Sequence, residues 1–492
     1  MAETVLTARS VENLLGDWRA GGAAAYLALA ERIRLLMLDG RIPVDTRLPA
    51  ERELSERLGV SRTTVTAAYR HLREAGYLDS VRGSGSAARL PGARQAAAPS
   101  HDAGFLDFSQ ATTPAIPGLA DDARAAVEEL PLHLGGHGFD PVGIPSLREA
   151  LAQRYSDRGL PTSPDQIMVT IGAQHAIALL ARTLVSRGDR AVIEVPTYPH
   201  SYEALRAAGA RLVPVGITPE RDAAARADGV VDDDGSADDS ADEADDLVQA
   251  ISFSNPALAY LIPDFHNPTG RSMTVEARER ILAAASRQGT IIVADETTAE
   301  MDIDRRQSYL PLAAYGDAVI IGSVGKTVWG GLRLGWIRAE APLIRRLVAN
   351  RSHNDLGTPI LDQLVVKQVL RRMDEVLAIR REQLRVGRDH LEGRLAEAFP
   401  EWTVPHVNGG LATWVNLGTP VSSQLALGAR AHGLIIAAGP RFGIDGAFER
   451  FLRIPIGYTP EETDRAVEAL ARSWAALGSH PVPDAPYLAA VV

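Results

Sequence analysis

The stretch IIGSVGKTVWGGLRLGWI, residues 320–337, places Lys326 between a β-like apolar run and a glycine-rich segment that ends near Arg333. The chain has 51 basic residues but only two lysines, Lys326 and Lys367. An amine can form a Schiff base with an aldehyde, whereas a guanidinium stays protonated and delocalised. The motif therefore favours covalent chemistry at Lys326. The alternative is a surface lysine without a role, which is the ordinary case for lysine.

Three further segments carry side chains that suit a flat aromatic ring. In VADETTAEM, Asp295 ends a β-like run, where a carboxylate can pair with a protonated pyridine nitrogen. In PDFHNPTG, Asn267 offers an amide donor for a phenolic oxygen, and in EVPTYPHS, Tyr198 can stack on the ring. Each signal alone is weak, because an aspartate after a strand is usually a cap and an NPTG is usually a turn. Together they indicate one ligand at the carboxyl edge of a parallel sheet.

A phosphate group fits a second set of residues on the same edge. The segment TIGAQHAI puts Gly172, Ala173 and Gln174 in a strand-to-helix turn, where backbone N–H groups at the start of the helix can cradle an anion. Ser323 and Arg333 flank the lysine and can add a hydroxyl and a charge.

This set and its order resemble the class I/II aminotransferases of pyridoxal 5'-phosphate (PLP) fold type I, over about 370 residues. The resemblance implies an α/β PLP domain in which Lys326 carries the internal aldimine. It also implies a ring-binding pair, Asp295 and Asn267, and a phosphate site formed by Ser323, Arg333 and the Ala173–Gln174 turn. Arg453, in FLRIPIGY, matches the arginine that binds a substrate carboxylate.

Two positions depart from the aminotransferase pattern. Thr297 stands where relatives generally have a tyrosine that touches the ring oxygen, and Gly138 stands where many have a tyrosine that reaches the neighbouring subunit's phosphate. Phe139 can partly fill the second gap. These departures predict weak or vestigial transamination more than loss of the cofactor.

The N-terminal part of the chain has a different character. A helix begins near Tyr26, a second one fits PAERELSERLG and closes at Gly59, and a third opens at Ser61, a good N-cap. Residues 26–90 carry 11 Arg against 8 acids, whereas the whole chain has a net charge of -11. Helix, turn and helix suit the DNA major groove, although such spacing also fits a small helical domain that binds protein.

The segment LPAERELSERLGVSRTTVTAAYRHLREAGYLDSVRGSGS closely resembles the winged helix-turn-helix of the GntR family of bacterial repressors. The resemblance implies an α+β DNA-binding domain whose contacts with double-stranded operator DNA come from Arg52, Arg62, Thr63, Thr64 and the wing glycine Gly85. Thr66 departs from the pattern, because many members have another arginine there.

The domain boundaries follow from composition and pattern. We expect a multidomain protein with a loose lead-in (1–25), the winged helix-turn-helix (26–90), a linker rich in Ala, Pro and Gly (91–104), the aminotransferase-like domain (105–476) and a tail (477–492). A long amphipathic helix should span roughly 358–395. Residues 228–246 contain ten acids and no base, which predicts a disordered insertion at about 221–250.

The amino-acid composition excludes several classes of protein. The chain has no cysteine, which excludes disulfides and thiolate metal sites. No apolar run reaches the roughly 20 residues of a membrane helix, and the N-terminus lacks a signal core. We therefore expect a cytoplasmic protein without a membrane partner or a metal.

A GntR-type head joined to an aminotransferase-like body resembles the MocR subfamily of bacterial transcription regulators. The resemblance implies a homodimer whose operator binding responds to an amino acid, an amine or PLP itself. Two alternatives remain open: a working aminotransferase with an accessory DNA-binding head, and a structural or partner-binding protein that has lost the cofactor.

Overall fold

The computed structural model of the chain describes residues 6–16, 18–19, 24–38, 42, 46–81, 85–88, 105–217, 237–305, 307–444 and 447–477. Within them lie an N-terminal head (residues 6–88) and a body (residues 105–477). The body has a large domain around a seven-stranded sheet and a small subdomain around a four-stranded sheet. The multidomain fold expected from the sequence is therefore confirmed.

The head consists of four helices and a short antiparallel sheet of order β1-β3-β2. Its elements are α1 (Ala8–Leu15), α2 (Ala25–Leu38), β1 (Arg47–Leu48), α3 (Glu51–Leu58), α4 (Arg62–Glu74), β2 (Leu78–Val81) and β3 (Gly85–Ala88). Gly59 ends α3 at φ 62°, in the left-handed region that favours glycine. The Ser61 hydroxyl caps α4 by accepting a hydrogen bond from the Thr64 N–H at 3.1 Å. The helix boundaries predicted at Gly59 and Ser61 are confirmed.

The lead-in differs from its prediction. Residues 8–15 form α1, whose first turn is capped by the Thr7 hydroxyl. Val11 and Leu15 are fully buried in the core of the head, in the same cluster as Leu29 and Leu54. The prediction of a loose segment is wrong here, because two apolar residues four apart are enough to hold a short helix once α2 and α3 supply a surface for them.

The large domain is built on a mostly parallel sheet with the strand order β5-β11-β10-β9-β8-β6-β7. These strands are β5 (Ile167–Thr170), β6 (Arg190–Val195), β7 (Arg211–Gly216), β8 (Leu258–Leu261), β9 (Ile291–Asp295), β10 (Val319–Ser323) and β11 (Gly335–Arg338). Only β11 among them runs antiparallel to its neighbours. The central strand β8 is buried along its whole length and β9 at every residue after Ile291, as a sheet covered by helices on both faces requires.

The helices of the body alternate with these strands or follow them. Among the described residues the α-helices are α5 (Leu119–Glu129), α6 (Pro145–Asp157), α7 (Gly172–Leu184), α8 (Pro199–Ala207), α9 (Ala237–Ser254), α10 (Val275–Gln288), α11 (Ala341–Arg351), α12 (Ile360–Leu370), α13 (Met373–Ala398), α14 (Ser422–Arg430) and α15 (Pro460–Ala476).

Two of these helices correct sequence predictions. The prediction of a disordered acidic insertion at 221–250 is wrong over α9, because Ala244, Leu247 and Ile251 form a buried stripe at helical spacing. Residues 218–236 lie outside the described residues. The single helix predicted over 358–395 is two helices, α12 and α13. The chain turns at Arg372, which leaves helical geometry and binds Asp122 at 2.7 Å.

The small subdomain has the strand order β12-β14-β13-β4 and is packed against α13, α14 and α15. Its strands are β4 (Leu106–Phe108), β12 (Ala412–Asn416), β13 (Leu434–Ala438) and β14 (Phe451–Pro455). The predicted linker (residues 91–104) and all of the predicted tail except Leu477 lie outside the described residues. In the part of the chain that is described, no helix is long and apolar enough to cross a bilayer.

Candidate functional site

The described residues enclose a cavity of about 530 Å³ between the carboxyl edge of the large sheet and the small subdomain. Nine of the ten cavity residues predicted from the sequence line it: Ala173, Gln174, Tyr198, Asn267, Asp295, Ser323, Lys326, Arg333 and Arg453. The tenth, Gly172, lies directly behind the lining at φ 75°, where an added Cβ would stand 3.0 Å from Arg333 Nη2. Predicted residues from six separate segments of the sequence therefore lie together at one cavity.

Lys326 follows β10 and points its amine into the cavity. Its Nζ donates a hydrogen bond to the Ala111 carbonyl at 2.7 Å. Burial lowers the pKa of Lys326 to about 8; the charges of Arg453 and Arg333 add to this, and Asp295 opposes it. A substantial fraction of the amine is therefore neutral near pH 7, which is the state that attacks an aldehyde.

Asp295 ends β9 and is held from two sides. Its Oδ2 accepts a hydrogen bond from the Tyr260 hydroxyl at 2.5 Å, and its Oδ1 accepts one from the Thr297 N–H at 3.0 Å. Burial and the neighbouring carboxylate raise the pKa of Tyr260 well above its ordinary value, so this phenol stays protonated. The carboxylate therefore has a fixed orientation.

An anion cradle forms where α7 begins. Ala173 and Gln174 present the first turn of this 13-residue helix to the cavity, where N–H groups without intrahelical partners favour negative charge. Ser323 Oγ accepts a hydrogen bond from the Gly325 N–H at 3.0 Å. Among the described lining residues are three lysine or arginine side chains, Lys326, Arg333 and Arg453, one imidazole, His266, and one carboxylate, Asp295. This balance suits a ligand with more than one negative charge.

Several buried polar atoms at the cavity lack hydrogen-bond partners among the described residues. They include Asn267 Oδ1, Gln174 Oε1, His266 Nε2 and Arg453 Nε. Buried polar groups are rarely left unpaired in a folded protein, and these four belong to residues that line the cavity. Arg453 also donates to the Ser109 carbonyl and lies 5.0 Å from the Phe442 ring centroid; burial lowers its pKa to about 10.

The two departures from the aminotransferase pattern lie in different places. Thr297 lines the cavity and brings no phenol to it. The next residue, Thr298, also lines it and donates its hydroxyl to the Asp264 carbonyl at 3.0 Å. Gly138 and Phe139 do not line the cavity of this chain, and Phe139 is 70% exposed.

Sequence reasoning missed part of the site. Residues 110–113 line the cavity, and this segment supplies the carbonyl that binds the lysine amine. It contains no motif that signals such a role. Tyr260 was also missed, although a polar-tipped residue in the fully buried strand LAYL was a usable signal. His266 and Trp329 are two other lining residues that the sequence did not indicate.

The predicted DNA-contact residues lie on one end of α4 and on α3. Arg62 and Thr63 are exposed and Thr64 is half-buried, and the hydroxyls of both threonines bond Ser61 Oγ at 2.7 and 2.8 Å. Arg52 is exposed and pairs with Glu56 at 2.9 Å. Gly85 begins β3, next to residues 82–84, which lie outside the described residues.

Thr66, the departure from the GntR pattern, turns back to the head. Its hydroxyl donates to Glu51 at 2.7 Å, so it fastens α4 to α3 where an arginine would extend outward.

Comparison with known families supports both parts. Residues 122–470 match the model of the aminotransferase class I and II family, and residues 25–87 match that of the gntR family of bacterial regulatory proteins. The first match alone covers more than half of the chain.

Similar proteins include two whose names describe them as regulators. The chain is 30% identical to the probable rhizopine catabolism regulatory protein MocR of Rhizobium meliloti, over 66% of this chain and 68% of that protein. It is 27% identical to the HTH-type transcriptional regulator TauR of Rhodobacter capsulatus, over 90% and 96%. Among solved structures, LysN, an alpha-aminoadipate aminotransferase from Thermus thermophilus, shares the body fold with a TM-score of 0.65 at 24% identity, over 76% and 93%.

The cofactor of this aminotransferase fold is pyridoxal 5'-phosphate, and the residues present fit it. The cavity volume lies within the usual range of roughly 300–1,000 Å³ for small-ligand sites. A lysine amine with a lowered pKa, a carboxylate held in a fixed orientation and an anion cradle at the start of α7 line the same space. Together with the head, the body places this chain in the MocR subfamily of GntR-type transcription regulators, in which a winged helix-turn-helix is joined to an aminotransferase class I/II domain.

Proposed function

We propose that this chain is a PLP-dependent regulator whose operator affinity changes when an amino acid or amine enters the cavity. The proposal rests on the presence of two features in one chain. One is the buried amine of Lys326, whose pKa is lowered, and the other is the exposed N-terminus of α4, the second helix of the helix-turn-helix. The head binds double-stranded DNA through Arg62, Thr63 and Thr64 in the major groove, where forked arginine and short hydroxyls reach base edges and phosphates. Arg52 and Gly85 contact the sugar-phosphate backbone of the DNA.

The side chains of the cavity have separate tasks. When bound, PLP supplies an aldehyde that condenses with amines, and its ring withdraws electrons. Lys326 provides the neutral amine that holds the cofactor covalently. Asp295, fixed by Tyr260 and Thr297, accepts a hydrogen bond from the protonated ring nitrogen. Asn267 meets the phenolic oxygen.

The remaining lining residues anchor the two ends of the bound molecules. The first turn of α7, with Ser323 and Arg333, holds the phosphate, and Tyr198 covers the ring. Burial raises the pKa of Tyr198 to about 12, so its hydroxyl stays neutral. Arg453 holds an effector carboxylate with its planar fork. An effector without a carboxylate, or PLP acting alone, would lack this contact.

A regulator needs two conformational states that the effector binds unequally, because a ligand with equal affinity for both states does not shift their equilibrium.

Transamination is the second candidate activity. It is favoured by the lowered pKa of Lys326, since a lysine that titrates near pH 8 can carry a proton to and from a bound substrate. The absence of a phenol at Thr297 and Gly138 makes turnover the weaker proposal.

The protein acts as a homodimer in this proposal. Leu132, Leu134 and Phe139 are 83%, 69% and 70% exposed on the loop that follows α5, and several large apolar side chains together mark a contact surface. A two-fold pair would present two heads to repeated half-sites. Light scattering of the purified protein measures this directly.

The test combines spectroscopy with DNA binding. Each common L-amino acid and a set of small amines is added to the PLP-loaded chain, and the change in the near-visible band is recorded. Operator fragments selected from random DNA are then titrated with and without the amine that changes the band most. We expect operator affinity to change with that amine in the unaltered chain and to be insensitive to it in Lys326→Ala. Steady conversion of an amino acid and a 2-oxo acid, with no effect on DNA binding, would contradict the proposal.

A further inference from the structure

The head docks on the small subdomain of the body, where α2 lies beside α14. Arg32 Nη1 of α2 donates to Glu449 Oε1 at 2.6 Å, and the two side chains are only 18% and 16% exposed. Arg32 Nε also donates to the Leu15 carbonyl at 3.0 Å. One guanidinium therefore joins α1, α2 and the body. A charged hydrogen bond this well shielded fixes a position more firmly than an exposed surface pair does.

Glu449 is itself held in place by the start of α14. Its carboxylate accepts hydrogen bonds from the Ser423 N–H at 3.0 Å and the Ser423 hydroxyl at 2.9 Å. Its backbone carbonyl accepts one from the Ser422 N–H at 2.8 Å. A negative charge is favourable at a helix N-terminus, so the carboxylate connects this terminus to Arg32.

Aromatic packing holds the residue next to Glu449. Phe448, the preceding residue, has φ 75°, a conformation that a bulky side chain adopts only when its surroundings impose it. Its ring lies 5.9 Å from that of Trp414 and 6.1 Å from that of Phe451. Glu449 therefore moves with this aromatic cluster.

The same cluster reaches the cavity. Phe442 lies 5.5 Å from Trp414 in an edge-on contact, and the Arg453 guanidinium lies 5.0 Å from the Phe442 ring centroid. The turn Gly439–Phe442 is tied at its start to the helix α14, since the Gly439 N–H donates to Ser422 Oγ at 2.8 Å. Packed contacts thus run without a gap from the cavity arginine to the carboxylate that holds the head.

We propose that the Arg32–Glu449 pair is the contact through which ligand occupancy at Arg453 changes the placement of the DNA-binding head. The inference rests on the proposed function and specifies its route. A carboxylate bound at Arg453 competes with the Ser109 carbonyl and the Phe442 ring for the guanidinium. The ring contacts from Phe442 through Trp414 to Phe448 transmit the resulting shift to Glu449, the next residue. Because contact alone does not measure coupling, the test measures the free energy that links the two sites.

The perturbed variant is Glu449→Gln, which keeps an acceptor for Ser423 and removes the charge that Arg32 meets. The matched control is Glu129→Gln. Glu129 pairs with Lys367 at 2.7 Å, with side chains 23% and 20% exposed, and both partners lie within the body. The probes are the two L-amino acids with the largest effects in the spectral screen, each of which brings a carboxylate to Arg453, and they are added to PLP-loaded full-length protein.

The quantity measured is the affinity for each probe in the presence and absence of operator DNA. The ratio of the two affinities must equal the effect of the probe on DNA affinity. We expect a ratio of about fivefold or more in the unaltered chain, which is the lower range of typical allosteric coupling. It should fall close to one in Glu449→Gln and stay unchanged in Glu129→Gln, while the near-visible cofactor band persists in both.

A double-mutant cycle adds a readout that a purely structural role does not move. Arg32→Gln should lower the ratio as Glu449→Gln does, and the double variant should be no lower than either single variant. A ratio that survives in Glu449→Gln would overturn this inference alone. Loss of cofactor or of operator binding in that variant would assign Glu449 to folding and overturn it as well. A ratio of one already in the unaltered chain would overturn the proposed function itself.

Discussion

The titration of Lys326 offers a direct measurement on the cofactor-free protein. The chain contains two lysines, so competitive methylation with formaldehyde and a mild hydride donor, read by peptide mass spectrometry, reports on each one separately. Lys367, whose ammonium bonds Glu129 at 2.7 Å, is the reference amine in the same sample. The labelling rate is followed from pH 6 to pH 11.

The expected size of the effect follows from burial. A pKa lowered from 10.5 to about 8 raises the neutral fraction at pH 7 from roughly 0.03% to roughly 9%, about 300-fold, since each pKa unit is tenfold. Below pH 8 the amine is mostly protonated and unreactive. Its labelling should therefore rise with pH and level off above about pH 9.

Arg453→Gln is the perturbation that separates charge from burial. After burial, the Arg453 charge is the largest influence that lowers the pKa of Lys326. Its removal should move the labelling midpoint of Lys326 upward and leave the labelling of Lys367 as it was. A midpoint near 10.5 in the unaltered chain, or one that does not move in Arg453→Gln, would refute the reasoning about the site.

Other variants test the head, the fold and the carboxylate. Arg62→Ala should weaken operator binding by about 1–3 kcal/mol in anisotropy titrations if the side chain reads a base; the exposed Arg9→Ala is its control, and equal affinities would show the groove assignment to be wrong. Leu247→Ala should lower the free energy of unfolding by about 2–5 kcal/mol, because the side chain is fully buried. Phe253→Ala, 81% exposed on the same helix, should change it by less than about 0.5 kcal/mol; equal midpoints in thermal denaturation would contradict the packing of α9. Tyr260→Phe removes the hydroxyl that orients the strand-end carboxylate and should weaken PLP binding about tenfold, roughly 1.4 kcal/mol; undiminished affinity in equilibrium dialysis would show that the phenol does not orient it.

Most of the cavity residues could be predicted because they follow a strand or open a helix in a short motif; Arg453, inside β14, is an exception. Asp295 ends β9, and Asn267 and Lys326 follow β8 and β10. Parallel strands bring such ends to one edge whatever the loops between them do. Tyr260 was not predicted because its contact with Asp295 depends on β8 lying beside β9. The order of strands in a sheet is not visible in the local sequence.

Other features depend on packing between distant segments. The helix α1 exists because α2 and α3 cover Val11 and Leu15, and eight residues have little helical preference of their own. The break at Arg372 depends on Asp122, 250 positions away in the chain. The helix α9 was not predicted because its segment was judged by its acidic composition. Composition averaged over a window does not show that Leu247 and Ile251 recur at helical spacing.

The position of residues 105–113 sets a boundary for fragment design. The chain enters the body through β4 and continues directly into the carbonyls of Ser109 and Ala111, which receive hydrogen bonds from Arg453 and Lys326. Because β4 is also the edge strand beside β13, a head-free version has to begin at or before Phe105. A fragment that begins at residue 122, where the aminotransferase family match begins, would keep every cavity motif predicted from the sequence and still misplace the amine.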